Sequence, residues 1–184
     1  MQADEILDFW FSPENQPYWY AAQDAFDAAI RAKFEQVAID IALILQSRKY
    51  HEWEDNPHTH LALIIAMDQF PRNMFRGTVA AYGWDLLALG LANRLVDKGG
   101  DIKLPIERRI FAYLPFMHSE VLADQDRCVD LIERRLNDAD NLHHAREHKK
   151  LIARFGRFPH RNHILDRAST PQETAFLNRG GYRV

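Results

Sequence analysis

The sequence predicts an all-α fold, and three observations carry that expectation. Apolar residues recur at spacings of three and four along nearly the whole chain, helix-start signatures precede several apolar runs, and no stretch alternates apolar and polar residues between turn signals. The chain has 184 residues, 47% of them apolar, which is enough to bury a core without disulfides or a structural metal. One domain over residues 1–184 is expected, a single array of seven to eight helices with short connectors and no dividing linker.

Ile6, Leu7, Trp10 and Phe11 lie on one face of a first helix. Phe26, Ile30, Phe34, Val37, Ile41 and Ile44 continue the pattern through a long helix starting near Asp24. The run Leu61 to Met67 is apolar without interruption, so it should be a central helix buried on nearly all sides. Asn56 as N-cap and Pro57 at the first helical position mark its start. Further helices are expected over 79–96, 105–114, 120–136 and 140–155. A last one starts at Thr170, whose spacing to Glu173 is that of a capping box with Pro171 in the first turn. Gly99-Gly100 and Gly180-Gly181 are the clearest breakers.

Composition excludes several classes. The single cysteine, Cys128, rules out an intramolecular disulfide framework and a multi-thiolate zinc site, and its apolar neighbours mark it as a core residue. The longest apolar run is seven residues, against about 20 for a spanning helix. The first dozen residues hold three acids and no Lys or Arg, the reverse of a signal peptide, so a soluble cytoplasmic protein with no membrane contact is expected. The net charge of −3 is unevenly spread: residues 1–60 carry four basic against eleven acidic side chains, and residues 143–184 carry nine against three, with five of the nine histidines. Either the basic third docks on the acidic third or it holds an anion; both readings stand. A pI near 6.3 and a short basic patch speak against a nucleic-acid partner.

One arrangement recurs. Phe70-Pro71-Arg72-Asn73 and Phe158-Pro159-His160-Arg161-Asn162 share an aromatic-Pro-(His)-Arg-Asn order, and Tyr113 to Glu120 again sets an aromatic and a proline before polar residues. Each proline should end or kink its helix and present polar side chains at the edge of the core. The three junctions are expected to converge on one cleft. Glu120 and Asp124, four apart, should share the first turns of one helix, where they serve equally well as capping acids or as site residues. His144 and His148 have the spacing of a metal-binding pair, but no third ligand is marked, so no metal and no cofactor are expected.

These stretches resemble a known family. Ile6 to Phe11, Leu61 to Arg76 (LALIIAMDQFPRNMFR), Tyr113 to Glu120 (YLPFMHSE) with Asp124-Gln125, Phe155 to Asn162 (FGRFPHRN) and Arg167 to Pro171 with Glu173 are similar to the bacterial family of uncharacterised proteins catalogued as domain of unknown function number 924. The resemblance implies a helical fold like that of tetratricopeptide-repeat arrays, and it implies no activity. Family members usually carry Leu-Gly-Arg where this chain has Leu165-Asp166-Arg167, which counts against a role needing a tight glycine turn there.

Two functions fit. One is an enzyme or small-molecule binder for an anionic carboxylate or phosphate ligand. Arg72, Arg157 and Arg161 would be its clamp, with His118 or His160 as general acid/base oriented by Glu120 or Asp124, in a cleft completed by Asp68, Gln69, Asn73, Gln125 and Asn162. The other is a helical groove that captures an acidic peptide or C-terminal carboxylate. Because the C-terminal block is short of acids, Arg161 is expected to face an open site. Substrate, reaction type and oligomeric state are not encoded in any motif.

Overall fold

The computed structural model describes residues 2–181, and every regular element among them is helical. Eight α-helices follow in order: α1 (Gln2–Trp10), α2 (Asp24–Arg48), α3 (Pro57–Met74), α4 (Asp85–Asp97), α5 (Ile110–His118), α6 (Leu122–Leu131), α7 (Ala139–Phe155) and α8 (Pro171–Asn178). Short 3-10 turns join several of them. No helix among the described residues is long and apolar enough to cross a membrane.

The chain divides into two compact units. The first holds the chain up to Arg76 together with Ala80–Pro115; the second holds Gly77–Val79 and the chain from Phe116 onward.

In the first unit, α3 is the centre, packed on α1, α2 and α4. Its start is where the sequence places it. Asn56 Oδ1 accepts from the His58 amide at 2.9 Å and Pro57 opens the helix, where its missing N–H costs nothing. All of Leu61–Met67 is excluded from solvent, as its unbroken apolar run requires. The Trp10 indole packs on the rings of Trp19, Phe26, Phe70 and Phe111 at 5.7–6.2 Å between centroids. At the end of α4, Gly99 takes φ +65° and the Gly100 amide reaches back to the Leu95 carbonyl at 2.8 Å. A Cβ at Gly100 would stand 2.5 Å from Leu95 Cδ1, so that turn has no room for a side chain.

Pro71 does not end α3, which runs on to Met74 and closes with the Phe75 amide on the Pro71 carbonyl at 2.9 Å. Pro115 likewise lies inside α5. An interior proline costs about 3 kcal/mol. Burying Phe70 and Met74 on the far side of Pro71, or Phe116 and Met117 beyond Pro115, offsets that cost.

In the second unit α6 packs against α7, and α8 against the 3-10 turn Pro159–Arg161. α6 begins at Leu122, later than the sequence pattern suggests, and passes into a π-helical turn over Ile132–Leu136. Asp138 caps α7, its Oδ1 accepting from the Asn141 amide at 3.0 Å. Gly156, at φ +69°, ends that helix. The capping box of α8 forms: the Glu173 amide donates to Thr170 Oγ1 at 3.2 Å, and the Thr170 amide to Glu173 Oε2 at 2.7 Å.

Candidate functional site

The two copies of the aromatic-Pro-(His)-Arg-Asn arrangement fall in different units. In the first unit, Asp68 is fully buried and Arg72 follows it one helical turn later. Arg72 Nη1 donates to Asp85 Oδ1 at 2.9 Å and to the Asp68 carbonyl at 2.6 Å, and it stands 3.3 Å from Asp68 Oδ1. The guanidinium also lies 5.8 Å from the centre of the Tyr82 ring. Gln69 Nε2 donates to Asp68 Oδ2. Asn73 Nδ2 donates to Asp27 Oδ1 at 2.7 Å, and Arg76 grips the same carboxylate at 2.7 and 3.0 Å. Burial pushes the Asp27 carboxyl up, but Arg76 and Asn73 together hold it below the usual carboxylate range. Each Arg and Asn of this block therefore meets an acid of its own unit.

The second unit uses the motif differently. Phe158 is fully buried, and its ring is a hub. Arg161 lies over its face at 4.5 Å, the His148 ring stands edge-on at 5.5 Å and the His160 ring is tilted at 5.6 Å. Arg161 Nη1 donates to the His118 carbonyl at 3.1 Å, which brings the end of α5 to the same place.

The loop that carries Phe158 is held by its backbone. Glu120 Oε1 accepts from the Phe158 amide at 2.8 Å, and both Glu120 oxygens take Arg167, at 2.7 and 3.0 Å. Arg167 Nη2 also reaches the Phe158 carbonyl at 3.3 Å, and its Nε donates to Asn162 Oδ1 at 3.1 Å. Burial raises the Glu120 carboxyl, but Arg167, the Phe158 amide and Arg161 outweigh it and keep Glu120 ionised. Glu120 reaches this loop because it precedes α6. The sequence pattern places it on one helix face with Asp124; the structure has it two residues before the helix starts. Asp124 accepts from Ser119 Oγ at 2.6 Å, and Gln125 Nε2 donates to the carbonyls of Met117 and Ser119, both at 2.7 Å. Those two residues thus tie the end of α5 to the start of α6.

The charge at this hub is positive. Burial is the largest cause that holds His148 down to about 3, and His118, Arg161 and His160 push the same way. Burial likewise takes His160 down to about 4, with Arg161, Arg167 and His118 adding to it and Glu120 opposing. His148 Nδ1 lies 2.8 Å from the His144 carbonyl; a carbonyl only accepts, so Nδ1 carries the proton and Nε2 the lone pair. The His144–His148 spacing that looks ligand-like in the sequence serves this bond. Among the described residues no group of three or more His, Cys, Asp or Glu side chains is placed to hold a metal ion.

The blocks 118–125 and 157–162 therefore meet, while 68–73 belongs to the other unit. Arg157, expected as part of a clamp, holds Glu173 at 2.6 and 2.8 Å. With the Thr170 cap, that brings the Glu173 carboxyl down to about 2. Arg161 does not face an open site: it is only 6% exposed, under Phe158 and against the His118 carbonyl. His148 and Arg167 are the participants that sequence reasoning passed over. Nothing near His148 marks it except the His144 pair, and Arg167 is visible only through the family resemblance.

The match to a family model of bacterial proteins of unknown function, DUF924, spans residues 6–181. The chain belongs to that family. A solved structure of the protein of unknown function ATU0120 from Agrobacterium tumefaciens is 38% identical to it, with a TM-score of 0.87 over 97% of this chain and 98% of that one. No curated protein matches the chain. In this DUF924 protein the residue before Arg167 is left-handed without being glycine: Asp166 takes φ +51°. Asp tolerates that region better than most residues, so the departure from Leu-Gly-Arg still delivers Arg167 to Glu120.

Proposed function

We propose that the second unit of this DUF924 protein binds a small carboxylate or phosphate at the half-buried His160, the member of the cluster with buried His118, His148 and Arg161 that solvent reaches, with His160 as proton acceptor. The observation that supports this most is the gathering of two imidazoles, those of His148 and His160, and a buried guanidinium around Phe158, while Glu120, the carboxylate that reaches the loop, is engaged by Arg167 and the Phe158 amide. A positive field at neutral imidazoles favours an incoming anion, and an anion that arrives raises the imidazole pKa and draws in a proton. His118, one bond from Arg161, is the second candidate for proton transfer. Small anionic metabolites of the cytoplasm are the ligand pool this reading implies.

The tetratricopeptide-like groove for an acidic peptide has less support, because Arg76, Arg94, Arg157 and Arg167 each hold a carboxylate of this chain. The test is a thermal-shift series at neutral pH with succinate, citrate and inorganic phosphate, on wild type and His160→Gln. One anion class should raise the melting temperature of the wild type and do so much less in the variant. No stabilisation by any of the three, or an equal shift in both proteins, overturns the reading.

A further inference from the structure

A cavity lies between the end of α7 and α8, and it is lined by none of the residues of the His148–His160–Arg161 cluster. Gln172, Ala175, Phe176 and Arg179 stand three, four and seven positions apart on one face of α8 and its C-cap, and Arg154 and Gly181 complete the wall. The space is about 270 Å³. That is just under the roughly 300–1,000 Å³ of sites for drug-sized ligands, so it suits a one-ring molecule.

Two features give it a chemical character. Arg154 and Arg179 both line it, and among the described residues neither is paired with a carboxylate, whereas Arg134, Arg146, Arg157 and Arg167 of the same unit all are. Arg154 is also held by aromatic faces, 4.6 Å from the centre of the Phe155 ring and 5.7 Å from that of Phe176, which limits its motion before any ligand arrives. The Phe176 ring and the Ala175 methyl supply an apolar floor. Gly181 passes against that ring so closely that a Cβ there would stand 2.5 Å from Phe176 Cε1. The ring keeps its position only while residue 181 has no side chain.

We propose that this cavity binds a small aromatic carboxylate, its ring on Phe176 and its carboxylate between Arg154 and Arg179. The apolar floor selects for the ring and the paired guanidinium groups for the anion, so neither a neutral aromatic nor an anion without a ring satisfies both.

The probe is 4-fluorobenzoate, followed by fluorine NMR in the presence of the full chain, with 4-fluorobenzamide as the neutral control. Arg154 and Arg179 are exposed, so Arg154→Gln and Arg179→Gln should fold as the wild type does, which a thermal melt checks. Each should weaken 4-fluorobenzoate about tenfold, the worth of one charge-assisted contact. Gly181→Ala should weaken it by displacing the Phe176 ring, and His160→Gln should leave the Arg154-dependent binding unchanged. Equal binding of the amide, no binding of the acid at millimolar concentration, or binding that survives both arginine variants overturns the proposal. Loss in His160→Gln but not in Arg154→Gln assigns the ligand to the Phe158 hub and overturns it as well.

Discussion

The two Phe-Pro-(His)-Arg-Asn segments place the same residue types in opposite electrostatic settings. In the first unit Arg72 lies between the carboxylates of Asp68 and Asp85, and Asn73 and Arg76 share Asp27. In the second unit Arg161 meets a carbonyl and a phenyl ring beside His148 and His160, and Glu120, which its charge also reaches, is bound by Arg167, as Glu173 is by Arg157. An arginine with two acids is a fastener, because each charge satisfies the other. An arginine beside imidazoles that burial keeps neutral, as it does His148 and His160, has its charge offset by neither ring. The same local sequence thus enters different electrostatic settings, depending on which charges the tertiary fold supplies.

The sharpest way to break this contrast is to delete both arginines in turn. Arg72→Ala takes the guanidinium away from Asp68, fully buried, and from Asp85; the expected loss is about 3–5 kcal/mol in urea unfolding, the range for breaking a buried ion pair. A loss below that of Arg161→Ala would show that the first copy is not the fastener.

The next effect is acid sensitivity set by the second unit. His148 and His160 titrate near 3 and 4 in the folded chain and near 6.5 when unfolded. Below 6.5 the unfolded chain binds protons that the folded chain refuses, so stability should fall as pH drops from about 6.5 to about 4. Glu173 adds to the loss below the ordinary carboxylate range, because its folded value is depressed to about 2. Unfolding midpoints measured at pH 7 and pH 4.5 should drop clearly in the wild type and less in His148→Gln and His160→Gln. An unchanged drop in both variants removes the imidazoles from the account.

Arg161→Ala should cost less than Arg72→Ala, about 1–3 kcal/mol, the penalty for leaving a buried polar group without its bond. It should also raise the imidazole pKa values of His148 and His160, read by NMR titration, because it removes one of the charges that hold them down. Values that stay put would show that burial alone sets them.

The smallest expected effect concerns Asp166. Its left-handed backbone costs about 1–2 kcal/mol for an ordinary side chain, and glycine gives back roughly 0.5–1 of that through its own entropy loss. Asp166→Gly should therefore stabilise by at most about 1 kcal/mol without altering the Arg167–Glu120 pair, as a melt together with the wild-type His160 titration would show.

The helical class, the start of α3 at Asn56-Pro57 and the capping box at Thr170 were legible in the sequence because each depends on side chains within one or two turns of each other. The burial of 61–67 was legible for a related reason: an unbroken apolar run has no polar face to offer water. Whether α3 ends at Pro71 or runs on through it was not legible, since the local rule allows a proline to end or to kink a helix and only the packing on the far side decides between them. Nor was the role of Glu120, whose partners Phe158 and Arg167 lie 38 and 47 residues away. By itself the sequence determined the helices and the residue types that could bind an anion, through periodicity and short-range hydrogen bonding. Only the tertiary structure decided which arginines meet carboxylates and which meet imidazoles, because electrostatic partners are chosen by distance in space, and spacing along the chain does not encode it.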